Sequence, residues 1–287
     1  MLRALSSGVS GINQFQNKLD VIGNNIANSN TIAFKSARAD FADSFSQTLQ
    51  VSSAASSGAG TAGMQVGSGV TIAAVRNLYK QGALTPTGIE TDLSVSGDGF
   101  FIVRDPANGN EYATRAGDFR LDENGYLITN KGFRVQGFDN LDLISRGDIQ
   151  IDDIARPPTT SSTASMTTFH IDLEGKINVH MSDGTAYVRG QVLLQRFNDP
   201  QALLKEGDNL WSGIGAAGPL GGSSAPLPES PGTNGLGQIQ AAALELSNVD
   251  LANEFSALIS TQRGFQASAR IITTCDEILQ ELVNLKR

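Results

Sequence analysis

Residue types that usually carry chemistry are scarce in this chain. One cysteine and two histidines stand among 287 residues. The single cysteine, Cys275, excludes a disulfide framework within the chain, and in an apolar-periodic segment it reads as a small packing residue. His170 and His180 lie ten positions apart across an expected hairpin. With no cysteine or dense carboxylate cluster beside them, exposed strand positions explain them better than a metal site. No apolar run approaches the roughly 20 residues of a membrane span, and Arg3 is followed by no uninterrupted apolar stretch of a secretory leader. Neither membrane insertion nor a cleavable signal peptide is therefore expected. Basic residues are also in deficit, at 21 Lys and Arg against 29 Asp and Glu, a net charge of −8. With a pI near 4.8 and no basic cluster, a nucleic-acid backbone or anionic lipid surface is a poor partner. Aromatic residues make up only 6%, whereas 31 glycines suit many turns and short strands.

Short motifs add little. Gly213 to Gly218 matches the dinucleotide pattern G-x-G-x-x-G, but Pro219 and further glycines follow where a phosphate-holding helix would have to begin. Arg146-Gly147-Asp148 reads as a chance triplet at a turn. Asp152 and Asp153 are adjacent, so on a strand they would point to opposite faces. No nucleophile-elbow pattern accompanies the histidines. We expect no catalytic, cofactor-binding or metal-binding residues, no cofactor, and no enzyme activity.

The two ends of the chain carry the strongest pattern. From Ser247 to Arg287, Leu251, Leu258, Phe265, Ile272 and Leu279 recur every seven residues, with Phe255, Ala269 and Val283 on the same face. Ser247 and Asp250 fit a capping box, and Lys286-Arg287 suit the negative end of a helix dipole. Burying five such side chains gains about 10 kcal/mol, against roughly 1–2 kcal/mol per residue to order some forty residues. This helix needs a partner. Leu5, Ile12, Leu19 and Ile26 form a second seven-residue row near the N-terminus, widened by Val9, Phe15 and Ile22. Gly8, Gly11 and Gly23 weaken that segment by about 1 kcal/mol each. Two weak amphipathic ends predict a terminal pair burying its stripes together.

Between the ends the period changes from helical to alternating. Asn24, Asn25, Asn28 and Asn30 predict the end of the first helix, and Phe34, Phe41 and Phe45 offer anchors for a loop folding back on the helix pair. Residues 52–63 are all small and read as a linker. From Met64 short strands alternate with turns at Gly97-Asp98-Gly99, Asn124-Gly125, Glu174-Gly175 and Asp183-Gly184. Residues 213–237, rich in Gly, Pro and Ser, read as an extended return loop. The expected fold class is α+β, with paired, coiled-coil-like terminal helices and an inserted, mainly antiparallel β domain. The expected division is 1–48 with 245–287 as a helical assembly domain, 49–63 as linker and 64–244 as the β-rich domain.

Three blocks resemble one family. The segment "LSSGVSGINQFQNKLDVIGNNIANSNTIAFKSARADF" looks like the N-terminal signature of bacterial flagellar rod and hook subunits. "LSNVDLANEFSALISTQRGFQASARIITTCDEILQELVNLKR" resembles their C-terminal end. "QGALTPTGIETDLSVSGDGFFIV" and "TRAGDFRLDENGYLITNKGFRVQGF" are similar to their β domain. "SGVSG", "FADSFSQTL" and "MQVGSGV" resemble hook subunits most, although the middle is shorter than in many of them, which keeps the distal rod as the alternative. Ala33 stands where the family usually has Gly, and Cys275 where it has a small or hydroxyl residue.

The resemblance implies a structural subunit that polymerises helically into the flagellar hook, a flexible tube transmitting motor torque from rod to filament. The alternatives are a rigid distal rod subunit and, from another class, a secreted β-domain adhesin or hydrolase. Implied partners are further copies of the chain, other axial proteins (rod, hook cap, hook-filament junction) and the flagellar export apparatus, which would place the protein in the basal body or hook without a cleaved leader. Leu5, Ile12, Leu19, Ile26, Leu251, Phe255, Leu258, Phe265, Ile272 and Leu279 would form the assembly interface. Asn24, Asn25, Asn28, Thr31, Phe34 and Lys35 match the family signature, with the implied role of turning the chain after the first helix.

Overall fold

A computed structural model describes residues 2–52, 60, 62–140, 143, 145–152, 164–220 and 227–285. Most of the small-residue linker, Asp153, Lys286, Arg287 and part of the return loop lie outside the described residues. The chain forms two compact units. The first holds residues 1–29, 36–78 and 249–287, and the second holds 30–35 and 79–248. Residues 64–78 thus group with the helices, whereas the sequence reading set them at the start of the β-rich region.

The first unit is built on α1 (Leu2–Ala27) and α2 (Leu251–Leu285). At 35 residues α2 is about 52 Å long. It starts later than the sequence pattern suggested, because Asp250 is its cap. The Asp250 carboxylate accepts from the N–H groups of Ala252 (3.0 Å) and Asn253 (3.3 Å), satisfying donors that a helix start leaves open. Residues 247–249 are not helical, so Ser247 is not the cap. Two antiparallel ribbons complete the unit, Ala37–Asp43 with Val70–Asn77 and Ser46–Gln50 with Met64–Gly67.

The second unit is an antiparallel β structure. Among the described residues its largest sheet has twelve strands. Its central path runs Met166–Ile171, Lys176–Met181, Ala186–Val192, Arg134–Phe138, Phe100–Arg104, Glu111–Thr114, Leu210–Ser212, Leu204–Gly207. Phe100–Arg104 is buried on both faces, and strand alternation sorts its side chains. Phe101 and Val103 join a core with Leu93, Val135, Ile177 and Ile239, while Phe100 and Ile102 join a second with Phe197, Leu203 and Trp211. The turn at Asn124-Gly125 is present, with Gly125 at φ +78°; a Cβ there would stand 2.5 Å from the Ile151 carbonyl oxygen. The unit closes on itself late in the chain: Gln238–Ala241 pairs with Leu93–Ser96, and Ala243–Glu245 pairs with Leu84–Pro86.

Candidate assembly surfaces and a buried ionic node

In the first unit α1 and α2 run antiparallel, and glycine sets how near they come. A Cβ at Gly8 would lie 3.3 Å from Ile272 Cγ1, one at Gly11 3.0 Å from Ser268 Oγ, and one at Gly264 2.8 Å from Phe15 Cζ. Gly8 and Gly11 weaken the helix, yet they create its contact surface. Gly23 faces nothing within 4 Å. Of the seven-residue rows, Leu5, Ile12, Leu19, Ile26, Leu258, Phe265 and Ile272 are half-buried, whereas Leu251, Phe255 and Leu279 are exposed. Ile22 and Cys275 are the deeply buried apolar side chains of the pair.

These contacts bring α1 residues opposite α2 residues in descending order, so α2 outruns its partner. From Asp276 to Leu285 every residue of α2 is exposed, and Ile278, Leu279, Leu282, Val283 and Leu285 are apolar. A second uncovered apolar group borders the ribbon Ser46–Gln50/Met64–Gly67. Phe45 is 90% exposed, with Leu49, Val51, Met64 and Val66 also uncovered. Of the three phenylalanines expected to anchor on the helices, only Phe41 does so, with its ring edge-on to Phe15 at 6.1 Å. Phe34 is buried in the second unit, and Phe45 projects outward.

The signature residues divide between the units. Asn24 and Asn28 stop α1: the Asn28 amide donates to Asn24 O (2.9 Å) and Oδ1 (3.0 Å). Buried Asn25 grips the next strand, donating to the Ala37 carbonyl (2.8 Å) and accepting from the Ala37 N–H (2.9 Å). The same amide donates to Glu254 Oε1 on α2 (3.1 Å). Burial, with Asp250 nearby, pushes the Glu254 carboxyl up despite the Asn25 bond.

Residues 30–35 belong to the β unit, which holds them at successive atoms. The Ile32 carbonyl accepts from Asn209 Nδ2 (2.6 Å), and Ala33 N–H donates to the Glu245 carbonyl (2.8 Å). Ala33 sits in the left-handed region at φ +55°, the conformation that a glycine tolerates without strain. Lys205 Nζ lies 4.0 Å over the Phe34 ring. Thr31 borders a cavity of about 250 Å³ with Asp118, Asn130 and Lys131.

Lys35 closes the segment. Its ammonium donates to Glu245 Oε1 (2.6 Å) and to the Lys80 carbonyl (3.0 Å), and Gly82 N–H donates to the same Oε1 (2.8 Å). Arg115 Nη1 stands 3.5 Å from Glu245 Oε2. One buried carboxylate thus faces two buried cations. Burial draws the Lys35 pKa down, Glu245 opposes that shift, and Arg115 adds to it. Sequence reading missed Glu245 and Arg115. The only signal was a single charge among apolar and small residues, in "AALELS" and "YATRAG".

Other candidates resolve simply. Arg146–Asp148 is a short strand, not a turn; it pairs antiparallel with Arg134–Phe138, and Asp148 accepts from Arg104 (2.7 Å), Arg134 (2.9 Å) and Gln136 (2.6 Å). His170 and His180 are exposed on neighbouring strands. Among the described residues no three His, Cys, Asp or Glu side chains form a metal-sized group, and no helix is long and apolar enough to cross a membrane.

The two chain ends pair as helices in one unit, the chain between them forms an antiparallel β unit, and the signature segment runs from the first into the second. Residues 5–35 match the family "Flagella basal body rod protein", 94–179 the "Flagellar hook protein FlgE/F/G D1 domain", and 240–285 the "Flagellar basal body rod FlgEFG protein C-terminal". The chain is 41% identical to the flagellar basal-body rod protein FlgG of Bacillus subtilis over 288 residues, covering all of both chains. It is 32% identical to the rod protein FlgG of Borreliella burgdorferi over 290 residues, again all of both chains. To the hook protein FlgE of the same organism it is 27% identical, over 449 aligned residues and all of both chains. This chain belongs to the flagellar rod and hook protein family. It is a structural protein of the bacterial flagellum, and the relatives it matches are rod and hook proteins.

Proposed function

We propose that this chain is a distal rod subunit, polymerising into a straight drive shaft, in place of the hook role that the sequence resemblance favoured. One observation carries this reading. The alignment with a rod protein spans 288 residues for a chain of 287, whereas that with a hook protein stretches to 449 and must open long gaps opposite this chain. This chain therefore lacks the extra residues that the hook relative carries. Assembly itself is supported by the uncovered apolar stripe of α2 and the apolar ribbon around Phe45, since contiguous exposed apolar surface marks interaction sites. A two-stranded ribbon is also marginal alone. Within the polymer Leu251, Phe255 and Leu279, with Ile278, Leu282 and Val283, would meet other copies. Leu5, Ile12, Leu19, Ile26, Leu258, Phe265 and Ile272 would hold the helix pair that presents them.

Electron microscopy of concentrated protein tests the reading. Straight tubes are expected, and regularly supercoiled tubes would return the chain to the hook. Leu282→Asp, at an exposed position, should leave helical content unchanged and abolish the tubes. Leu258→Asp should abolish them too, by loosening the helix pair. Tubes formed by both variants would remove the helical face from the interface.

A further inference from the structure

Helix α2 carries its charge in two blocks. From Phe255 to Cys275 the charged side chains are Arg263 and Arg270, and from Asp276 to Leu285 they are Asp276, Glu277 and Glu281. All five are exposed. The helix also leaves two apolar stripes uncovered. Leu251, Phe255 and Ile259 recur at every fourth residue near its start, and Ile271, Ile278, Leu282 and Leu285 line its second half. At about 100° per residue these stripes lie on nearly opposite sides of the helix. The first faces away from the α1 contact at Gly264, Ser268 and Ile272, whereas the second flanks that contact at Ile271 and continues past the end of α1.

The two stripes fit each other between parallel copies. Leu251 of one helix reaches Ile271 of another, Ile259 reaches Ile278, and Arg263 reaches Glu281, at separations of 20, 19 and 18 positions. The three agree on one stagger, about 28 Å along the axis. With the stripes turned toward each other, Arg263 and Glu281 fall on the same flank of the contact, where opposite charges select partner and register. We propose that the acidic second half of α2 docks on the first half of α2 in another copy, parallel and staggered by about 19 residues, with Glu281 paired to Arg263 of that copy. The contact joins unlike stripes, so each docked copy still offers one, and the array extends without closing. The proposal rests on the reading of the chain as a polymer subunit and supplies its register.

Charge reversal tests the pairing. Sedimentation of the full chain gives the lowest concentration at which tubes form. Arg263→Glu and Glu281→Arg should each raise that concentration about tenfold, and the two together in one chain should bring it back near the unmodified value. Both positions are exposed, so far-ultraviolet circular dichroism should be the same in all three variants. Single reversals without effect, or a double variant no better than either, would overturn the pair.

Disulfide capture tests the stagger separately. In a Cys275→Ala background, an Ile259→Cys chain is mixed with a mass-tagged Ile278→Cys chain and oxidised with copper phenanthroline. The mixed dimer should outweigh either like pair. Ile259→Cys mixed with Ile271→Cys, an offset of 12 positions, should stay uncoupled. Equal capture of both mixtures would overturn the stagger, and tubes that yield no mixed dimer would show that something other than α2 of a second copy covers the stripes. Failure of the unmodified chain to form tubes would fall on the subunit reading instead. The capture needs only that two chains associate, so it decides the stagger in that case too, and no mixed dimer at any concentration would overturn it.

Discussion

The Lys35 ammonium lies 2.6 Å from the carboxylate of Glu245, 210 positions later in the chain, and neither side chain has any exposed surface. This pair ties the segment entering the β unit to the strand that leaves it. Glu245 also faces Arg115, so the two ends of the pair are unequal. Glu245→Ala leaves two buried cations without a counter-charge and should cost about 3–5 kcal/mol. Lys35→Met leaves the carboxylate with Arg115 and the Gly82 N–H, and should cost clearly less. Urea unfolding followed by Trp211 fluorescence measures both, and equal costs would contradict a shared carboxylate.

Glycines of the helix pair should respond in opposite directions. At Gly264 an added methyl lies 2.8 Å from the Phe15 ring, so Gly264→Ala should destabilise the pair by about 1–3 kcal/mol. Phe15→Leu in the same chain should recover part of that loss. Gly23 meets nothing within 4 Å, and Gly23→Ala should gain up to about 1 kcal/mol. Thermal melts by far-ultraviolet circular dichroism report both.

The Glu254 carboxyl has its pKa raised above 4.5, first by burial. A carboxyl raised in the folded state contributes stability at low pH that is lost as pH rises from about 4.5 through the folded value. Glu254→Gln keeps the acceptor for Asn25 and removes the ionisation. The variant should be the more stable protein at neutral pH, with the difference vanishing below about 4.5. A difference independent of pH would rule out ionisation as the cause.

Asp148 has the opposite sign. Burial alone would raise its pKa, but hydrogen bonds from Gln136, Arg134 and Arg104 bring it below 3.8. Its contribution is therefore present above that value and lost as pH falls through the folded pKa. Asp148→Asn should cost about 1–3 kcal/mol at neutral pH and progressively less in acid, as read from denaturant midpoints over a pH series.

Ala33 occupies the left-handed region, where a Cβ costs about 1 kcal/mol. Ala33→Gly should raise the melting temperature of the β unit by about 2–4 °C per kcal/mol relieved. A lower melting temperature would mean that the backbone freedom glycine adds to the unfolded chain outweighs the relief.

Much was legible in local pattern. The two helices, their need for each other and the antiparallel middle follow from spacing and turn residues, because amphipathic period and glycine chemistry act within a few residues. The Asn24 to Asn28 run marked the end of α1, and Asn124-Gly125 marked a real turn. The helix start was misread because Ser247 and Asp250 are both good caps, and only backbone geometry selects between them.

What sequence determined was which segments are helical or extended and which face of each is apolar. Tertiary structure alone decided that Lys35 meets Glu245, that Gly8, Gly11 and Gly264 are points of close approach, and that Phe34 is buried while Phe45 is not. These outcomes depend on pairings between residues tens to hundreds of positions apart. A buried charge is tolerable only with its partner beside it, and nothing local to "AFKS" or "LELS" specifies that partner until the chain has folded.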